Sequence, residues 1–358
     1  MHAPRPAPAG TPAAPLGAPT DATRTSGAPV GEELRDALAR LLDGLPPRQA
    51  TQAVDRLIAN YRGRTPTDAP VLRDRSDVAA YAAYRMPATY QAVRSALAAL
   101  RARLPEWVPA DHVDVGGGTG AASWAVADAW AGAERTTTVL DWSQAALALG
   151  EELAASSPDP ALRAARWRRQ AIGSGLRIDP TDLVTVSYVL GELTPEDRGL
   201  VVDEAARAGR AVMIVEPGTP EGYLRIREAR DRLVGAGLRV VAPCPHSDTC
   251  PIEVGRDWCH FAARVNRSSL HRQVKGGTLP YEDEKFSYVA AIRADGAEGL
   301  TDAAPAARVV RKPQIRKGMV LLDLCTEQDG LRRETVTKRH GELYRAARDA
   351  EWGDAWPS

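Results

Sequence analysis

Val113-Asp114-Val115-Gly116-Gly117-Gly118-Thr119-Gly120 decides the fold. A short apolar run with strand character ends in Gly-x-Gly-x-Gly, and a helical stretch, Ala121–Trp130, follows at once. Glycine lets the main chain turn sharply and lets a ligand lie against it. Such a loop carries little weight alone, but here it has a strand before it and a helix after it. It also has a partner: Thr136–Leu140 is a second β-branched run, and it ends at Asp141, twenty-one residues after Gly120. A carboxylate there can accept hydrogen bonds from both hydroxyls of a ribose.

A dinucleotide site favours Gly-x-Gly-x-x-Gly, with pyrophosphate on the helix N-terminus. Here the third glycine comes one residue early and an acid, Asp114, precedes the loop. That variant resembles the S-adenosylmethionine site of class I methyltransferases. The expected donor-binding set is Asp114, Gly116, Gly118, Gly120 and Asp141, with Asp114 near the ammonium of the donor's methionine part. A dinucleotide, or a purely structural turn, is the alternative. No catalytic residue is assigned. Where amino-methylating enzymes often carry Asn/Asp-Pro-Pro-aromatic, this chain reads Ser187-Tyr188-Val189-Leu190-Gly191-Glu192. Tyr188 and Glu192 are the polar side chains able to face a donor there. No cysteine lies in this half, so a covalent thiol route has no nucleophile.

The alternation continues outward. Leu183–Tyr188, Ala211–Val215 and Gly235–Val241 read as strands, with helices over 143–155 and 196–208 between them. The expected fold class is α/β: a doubly wound, Rossmann-like sheet of the class I methyltransferase type. An N-terminal helical region precedes it, and a metal-bound, β-containing region follows it. The boundaries read 1–29 for an Ala/Pro-rich tail, 30–106 for the helical region, 107–241 for the donor-binding domain and 242–358 for the cysteine region and basic strands. Within 30–106, helices are expected over 31–62 and 75–104, with Pro87 marking a break or a first turn. Further β-like runs lie at 286–293 and 307–324, and a strand-and-turn unit at 334–345.

All four cysteines fall in the last third: Cys244, Cys250 and Cys259 within sixteen residues, then Cys325. Intervening lengths of five, eight and sixty-five residues contain no Cys-x-x-Cys knuckle of the zinc-ribbon kind. Proline follows Cys244 and Cys250, a habit of iron–sulfur ligands. Four thiolates complete the ligand set of one [4Fe–4S] cluster or one zinc ion. The spacing favours the cluster, with zinc as the alternative and His246 and His260 as further zinc ligands or neighbouring donors.

The chain has 358 residues, 44% of them hydrophobic, and a net charge of zero. That is ample for a folded core. No apolar run reaches the ~20 residues of a membrane helix, and no secretory signal is evident, so reduced cysteines are expected. Charge is local. Arg264, Arg267, Arg272 and Lys275 follow the cysteine loop, and Arg311, Lys312, Arg316 and Lys317 precede Cys325. Both stretches are candidate phosphate contacts.

Several further segments identify a family. They are Tyr84-Arg85-Met86-Pro87-Ala88-Thr89-Tyr90, the loop Asp114–Gly120, Leu190-Gly191-Glu192-Leu193 and Glu216-Pro217-Gly218-Thr219. Cys244-Pro245-His246 through Cys250-Pro251, Asp257-Trp258-Cys259-His260-Phe261, Glu284-Lys285-Phe286-Ser287-Tyr288 and Asp323-Leu324-Cys325-Thr326 complete the set. From about residue 35 to its end, the chain resembles the methyltransferase-like assembly factors of the small ribosomal subunit, known from mitochondria and bacteria. The resemblance implies a [4Fe–4S] cluster on Cys244, Cys250, Cys259 and Cys325, a retained S-adenosylmethionine site and association with small-subunit rRNA. No membrane or secreted partner is expected, and the chain is expected to be a monomer off the ribosome. The expected function is an S-adenosylmethionine-dependent rRNA methyltransferase or assembly factor, although some members are thought to have lost methyl transfer; the alternatives are a non-catalytic RNA-binding assembly factor that keeps the donor as a structural ligand, and a zinc-containing methyltransferase of a non-RNA substrate. The Ala/Arg-rich composition suits a bacterial, cytoplasmic member, with the mitochondrial matrix as the alternative.

Overall fold

In a computed structural model, residues 30–42, 51–52, 54, 75–267, 279–293 and 306–357 are described. The tail, much of the stretch 31–62, Arg272 and Lys275 lie outside these residues.

Strands β1 (Asp111–Val115), β2 (Thr136–Asp141), β3 (Arg166–Arg169), β4 (Thr181–Ser187), β5 (Gly209–Pro217), β6 (Leu238–Ala242), β7 (Phe261–Asn266) and β8 (Tyr281–Arg293) form one sheet. Its order is β3-β2-β1-β4-β5-β8-β6, with β7 also on β8. The first five strands run parallel and β8 runs antiparallel to β5. β1, between β2 and β4, is the point where strand order reverses, and ligands of doubly wound sheets lie outside the carboxyl ends of strands at that point.

Helices cover both faces. On one lie α1 (Val30–Leu42), α2 (Arg75–Arg103), α3 (Ala121–Ala129) and α4 (Gln144–Ala155), packed around the buried Trp124, Leu97 and Leu100. A short α5 (Pro160–Arg163) follows α4. On the other face lie α6 (Pro195–Ala208) and α7 (Pro220–Gly235), over Val184, Val212 and Ile214. Both of the latter start on Thr-Pro-Glu. The hydroxyls of Thr194 and Thr219 accept from the backbone N–H of Asp197 and Gly222, the proline fills the first turn and the acid faces the helix dipole.

Pro87 does not break the chain: α2 runs through it for 29 residues. Its neighbours Met86, Ala88 and Tyr90 are all buried, so packing outweighs the lost hydrogen bond.

β8 is long enough to serve two partners along one edge. Its C-terminal half pairs β6, with Ala290 opposite Ala242, and its N-terminal half pairs β7, with Phe286 opposite Phe261. The loop 243–260, which carries three cysteines, therefore leaves and rejoins the sheet within a few residues of β8. The sheet does not end at residue 242.

A second sheet holds β9 (Ala307–Val309), β10 (Gln314–Arg316), β11 (Met319–Thr326), β12 (Gly330–Thr337) and β13 (Ala355–Trp356), in the order β10-β11-β9-β13 with β12 on β11. The stretch 334–345 is the end of β12 and then α8 (Glu342–Asp349). Trp356 and Ala347 close this smaller core over Val320, Leu322 and Leu324.

Candidate functional site

The glycine loop caps the carboxyl end of β1. Gly116 and Gly120 have φ of 64° and 85°, in the left-handed region glycine tolerates. A Cβ on Gly116 would stand 2.3 Å from Val189 Cγ2, and one on Gly120 would stand 2.6 Å from the indole of Trp167. At Gly118 the nearest atom to such a Cβ is Asp141 Oδ2, at 3.8 Å, so that turn faces open space.

Asp141, the last residue of β2, ties the loop down. Its Oδ2 accepts from Gly118 N–H at 2.9 Å and its Oδ1 from Ser143 N–H at 2.8 Å. The backbone N–H of Trp142 also bonds this carboxylate, and of its roughly four lone-pair sites at least one stays open for a further donor. Burial raises this carboxyl above its usual range, while the backbone N–H groups pull it back. Sequence reasoning missed Trp142. It is 54% exposed directly after Asp141, an uncovered aromatic surface beside the strand-ending acid. The signal was available: a large indole after the strand-ending acid.

Asp114 lies directly beneath the glycine loop, its Oδ2 2.7 Å from where a Cβ on Gly117 would stand. It is fully buried; its Oδ1 accepts from Thr185 Oγ1 at 2.8 Å and its Oδ2 from Ser123 Oγ at 3.0 Å. His112 continues the chain, 2.8 Å from Thr185 Oγ1. Burial lifts the Asp114 carboxyl to about 6 despite these hydrogen bonds. Its part is to support the loop from below.

At the end of β4, Tyr188 holds φ at 61°, the one positive φ outside glycine among the described residues. Strain of this kind collects at functional sites. The Tyr188 hydroxyl donates to Glu284 at 3.0 Å, and Arg85 of α2 grips Glu284 with two nitrogens, at 2.8 and 3.3 Å. The same guanidinium lies 5.0 Å from the centre of the Tyr188 ring. Next to it, buried Glu216 accepts from Leu190 N–H at 3.0 Å and from Arg225 at 2.6 Å. Tyr188 is thus tied into a network, and Glu192 is exposed on the rim.

Cys244, Cys250, Cys259 and Cys325 line one cavity of about 40 Å³, with Tyr223, Arg230 and Tyr288 among its other walls. None is in a disulfide. Cys325 reaches the cavity from β11, where it pairs with Arg308 of β9. Arg308 donates to Pro243 C=O at 2.8 Å and so ties the second sheet to the cysteine loop. Trp258 Nε1 donates to Gly218 C=O at 3.0 Å, which joins that loop to the rim after β5. The Tyr223 hydroxyl is 3.3 Å from Cys250 Sγ and His246 Nε2 is 4.0 Å from Cys325 Sγ. Burial pushes the Cys325 thiol up to about 12 and raises Cys244 and Cys259 as well. Among the described residues, no three His, Cys, Asp or Glu side chains are arranged to hold a single metal ion.

The sequence profile of a family described as "Mitochondrial small ribosomal subunit Rsm22" matches residues 75–357. The chain belongs to the Rsm22 family. It is 29% identical over 296 residues to the human ribosome assembly protein METTL17, mitochondrial, covering 77% of this chain and 62% of that protein. Against the ribosome assembly protein RSM22, mitochondrial, of Saccharomyces cerevisiae, identity is 24% over 181 residues, 34% of this chain and 29% of that one. The chain thus spans less than two thirds of these relatives' length. Among solved structures, the magnesium protoporphyrin IX methyltransferase of Synechocystis PCC 6803 with bound SAH aligns with a TM-score of 0.38 and 14% identity, over 58% of this chain and 84% of that one. The class I methyltransferase-like architecture of this Rsm22-family chain follows from its own strand order.

The basic candidates divide. Arg264 pairs with Asp283 at 3.1 Å, Arg267 with Glu282 at 3.3 Å, and Arg311 with Asp257. Lys312, Arg316 and Lys317 are exposed at and before the β10–β11 hairpin. Sequence alone does not show which arginines already have acid partners across a strand pair, such as Arg264 opposite Asp283.

Proposed function

We propose that this chain is a small-ribosomal-subunit assembly factor. In this reading it binds S-adenosylmethionine at the β1–β2 edge, holds a [4Fe–4S] cluster on Cys244, Cys250, Cys259 and Cys325, and docks on rRNA. The observation that carries the reading is the convergence of four unpaired cysteines, from two distant stretches, on one cavity. Two relatives named as ribosome assembly proteins support the assembly role.

Four thiols, with proline directly after Cys244 and Cys250 and no Cys-x-x-Cys knuckle, favour a cluster over zinc. A cubane spreads its ligand sulfurs over a larger core. Its chemistry when bound is electron storage or mechanical cross-linking of the two sheets. At the donor edge, Asp141 takes the ribose hydroxyls, Trp142 takes the base, and Gly116, Gly118 and Gly120 leave room for the rest.

The β4 end favours binding over turnover. Tyr188, Arg85 and Glu284 satisfy one another where a methyl acceptor would have to enter. Methyl transfer is the second reading, favoured by the complete glycine loop and Asp141. The relatives' names place them in mitochondria, which supports the mitochondrial alternative and gives the cytoplasmic expectation no support. No described helix is long and apolar enough to cross a membrane.

The test uses small-subunit particles from a strain lacking the protein and labelled S-adenosylmethionine. The expected result is stable binding of the chain to the particles with no methyl incorporation. Incorporation would establish the second reading; no binding would remove the assembly role.

A further inference from the structure

Two buried arginines flank the cysteine cavity without a buried acid among the described residues to answer them. Arg230 of α7 is 4% exposed and Arg308 of β9 is 6% exposed. Arg308 donates only to main-chain carbonyls, Pro243 C=O and Gly353 C=O, each at 2.8 Å. Arg230 donates to His246 C=O at 3.1 Å and to Asp248 C=O, and its Nε has no partner among the described residues. Its one carboxylate, Asp231 at 3.3 Å, is 62% exposed, so solvent screens that pair. Carbonyl dipoles can orient two guanidiniums, but they do not neutralise them. Buried charges persist where something opposite in sign compensates them.

We propose that Arg230 and Arg308 are the fixed counter-charges of the metal centre on the four cysteines. The inference rests on the cluster reading above. Four thiolates around a doubly positive core, an oxidised cubane or a zinc ion, leave two negative charges. The two buried guanidiniums oppose that charge from within; Arg227, half-buried on the cavity wall and donating to Ile252 C=O at 2.7 Å, adds a third cation nearer solvent. The same carbonyl contacts explain why the cations stand where they do: Arg230 fastens the loop just after Cys244, and Arg308 fastens the residue just before it while lying opposite Cys325. Each arginine is a positioning residue that sets the electrostatics of the pocket as it ties the loop. Net charge around an iron–sulfur centre is one of the levers on its potential, and adding an electron is easier beside two cations.

The test compares anaerobically purified full-length wild type with Arg230→Lys, Arg230→Met, Arg308→Lys and Arg308→Met. Iron and acid-labile sulfide are measured first, folding is checked by circular dichroism, and the midpoint potential comes from a dye-mediated titration followed by electron paramagnetic resonance. Each Met variant is expected to lower the potential by at least a tenfold change in the reduction equilibrium, about 59 mV. The Lys variants should stay near wild type. A folded Met variant that loses its iron while the Lys variant keeps it supports the same conclusion. An unshifted potential in cluster-loaded Met variants overturns it, as does equal iron loss in Lys and Met variants. If wild type holds zinc instead, the cubane reading falls and the counter-charges are read from zinc retention against a chelator: faster loss in the Met than the Lys variants supports them, and equal rates overturn them. A wild type without metal removes both.

Discussion

At the scale of single residues, the donor edge depends on two carboxylates with different duties. Asp141 ties down Gly118 and Ser143 and is the proposed ribose ligand. Asp141→Ala should weaken S-adenosylmethionine binding about 10–100-fold, the worth of one or two hydrogen bonds to a charged group, as titration calorimetry would read. Affinity within threefold of wild type would count against it. Asp114 is internal, and burial holds its carboxyl up at about 6 against an ordinary 3.8. The folded chain therefore keeps this proton over a range where the unfolded chain has lost it. Its contribution to stability is greatest below about pH 4, falls as pH rises to about 6 and is flat above, a swing on the order of 3 kcal/mol. Asp114→Asn should remove that slope from urea melts taken between pH 4 and 7; an unchanged slope would assign it to other groups. The strand-ending position of Asp141 was legible because strand, glycine loop and second strand are a local pattern. The inward turn of Asp114 was not. It depends on Thr185, seventy-one residues away in sequence, standing opposite on β4.

At the scale of elements, the described RNA-contact candidates that no acid pairs lie at and just before one hairpin. Lys312, Arg316 and Lys317 are exposed around β10 and β11, whereas Arg264, Arg267 and Arg311 have acid partners. Neutralising the three hairpin residues together should weaken RNA binding and lower the log–log salt slope by roughly 0.7–0.9 for each phosphate left without its cation. Neutralising Arg264 and Arg311 should change the slope less, because each already neutralises a carboxylate. The reverse ranking in a salt titration would move the RNA-binding surface to the cysteine loop. The elements themselves were largely readable. α4, α6 and β5 follow periodicity and caps that lie within a few residues. Pro87 misled because helix breaking is a local rule, and the burial of Met86, Ala88 and Tyr90 comes from distant partners. Likewise the part played by β8, between β5 and β6, is a matter of non-local pairing that no spacing announces.

At the scale of the whole molecule, the cysteine cavity is where the two sheets meet. The loop 243–260 is pinched at β8 of the first sheet, and Cys325 comes from the middle of the second. Arg308 and Trp258 fasten the junction to Pro243 and to the donor-site rim. A centre bound there closes a loop of more than sixty residues between Cys259 and Cys325, so its stabilising effect falls largely on the unfolded chain. The most direct measurement is iron and acid-labile sulfide in full-length protein purified without oxygen, alongside Cys250→Ser. The account predicts about four of each per wild-type chain and a marked loss in the variant with a lower melting temperature. Wild type free of iron and sulfide, or a Cys250→Ser variant with an undiminished cluster, would contradict it.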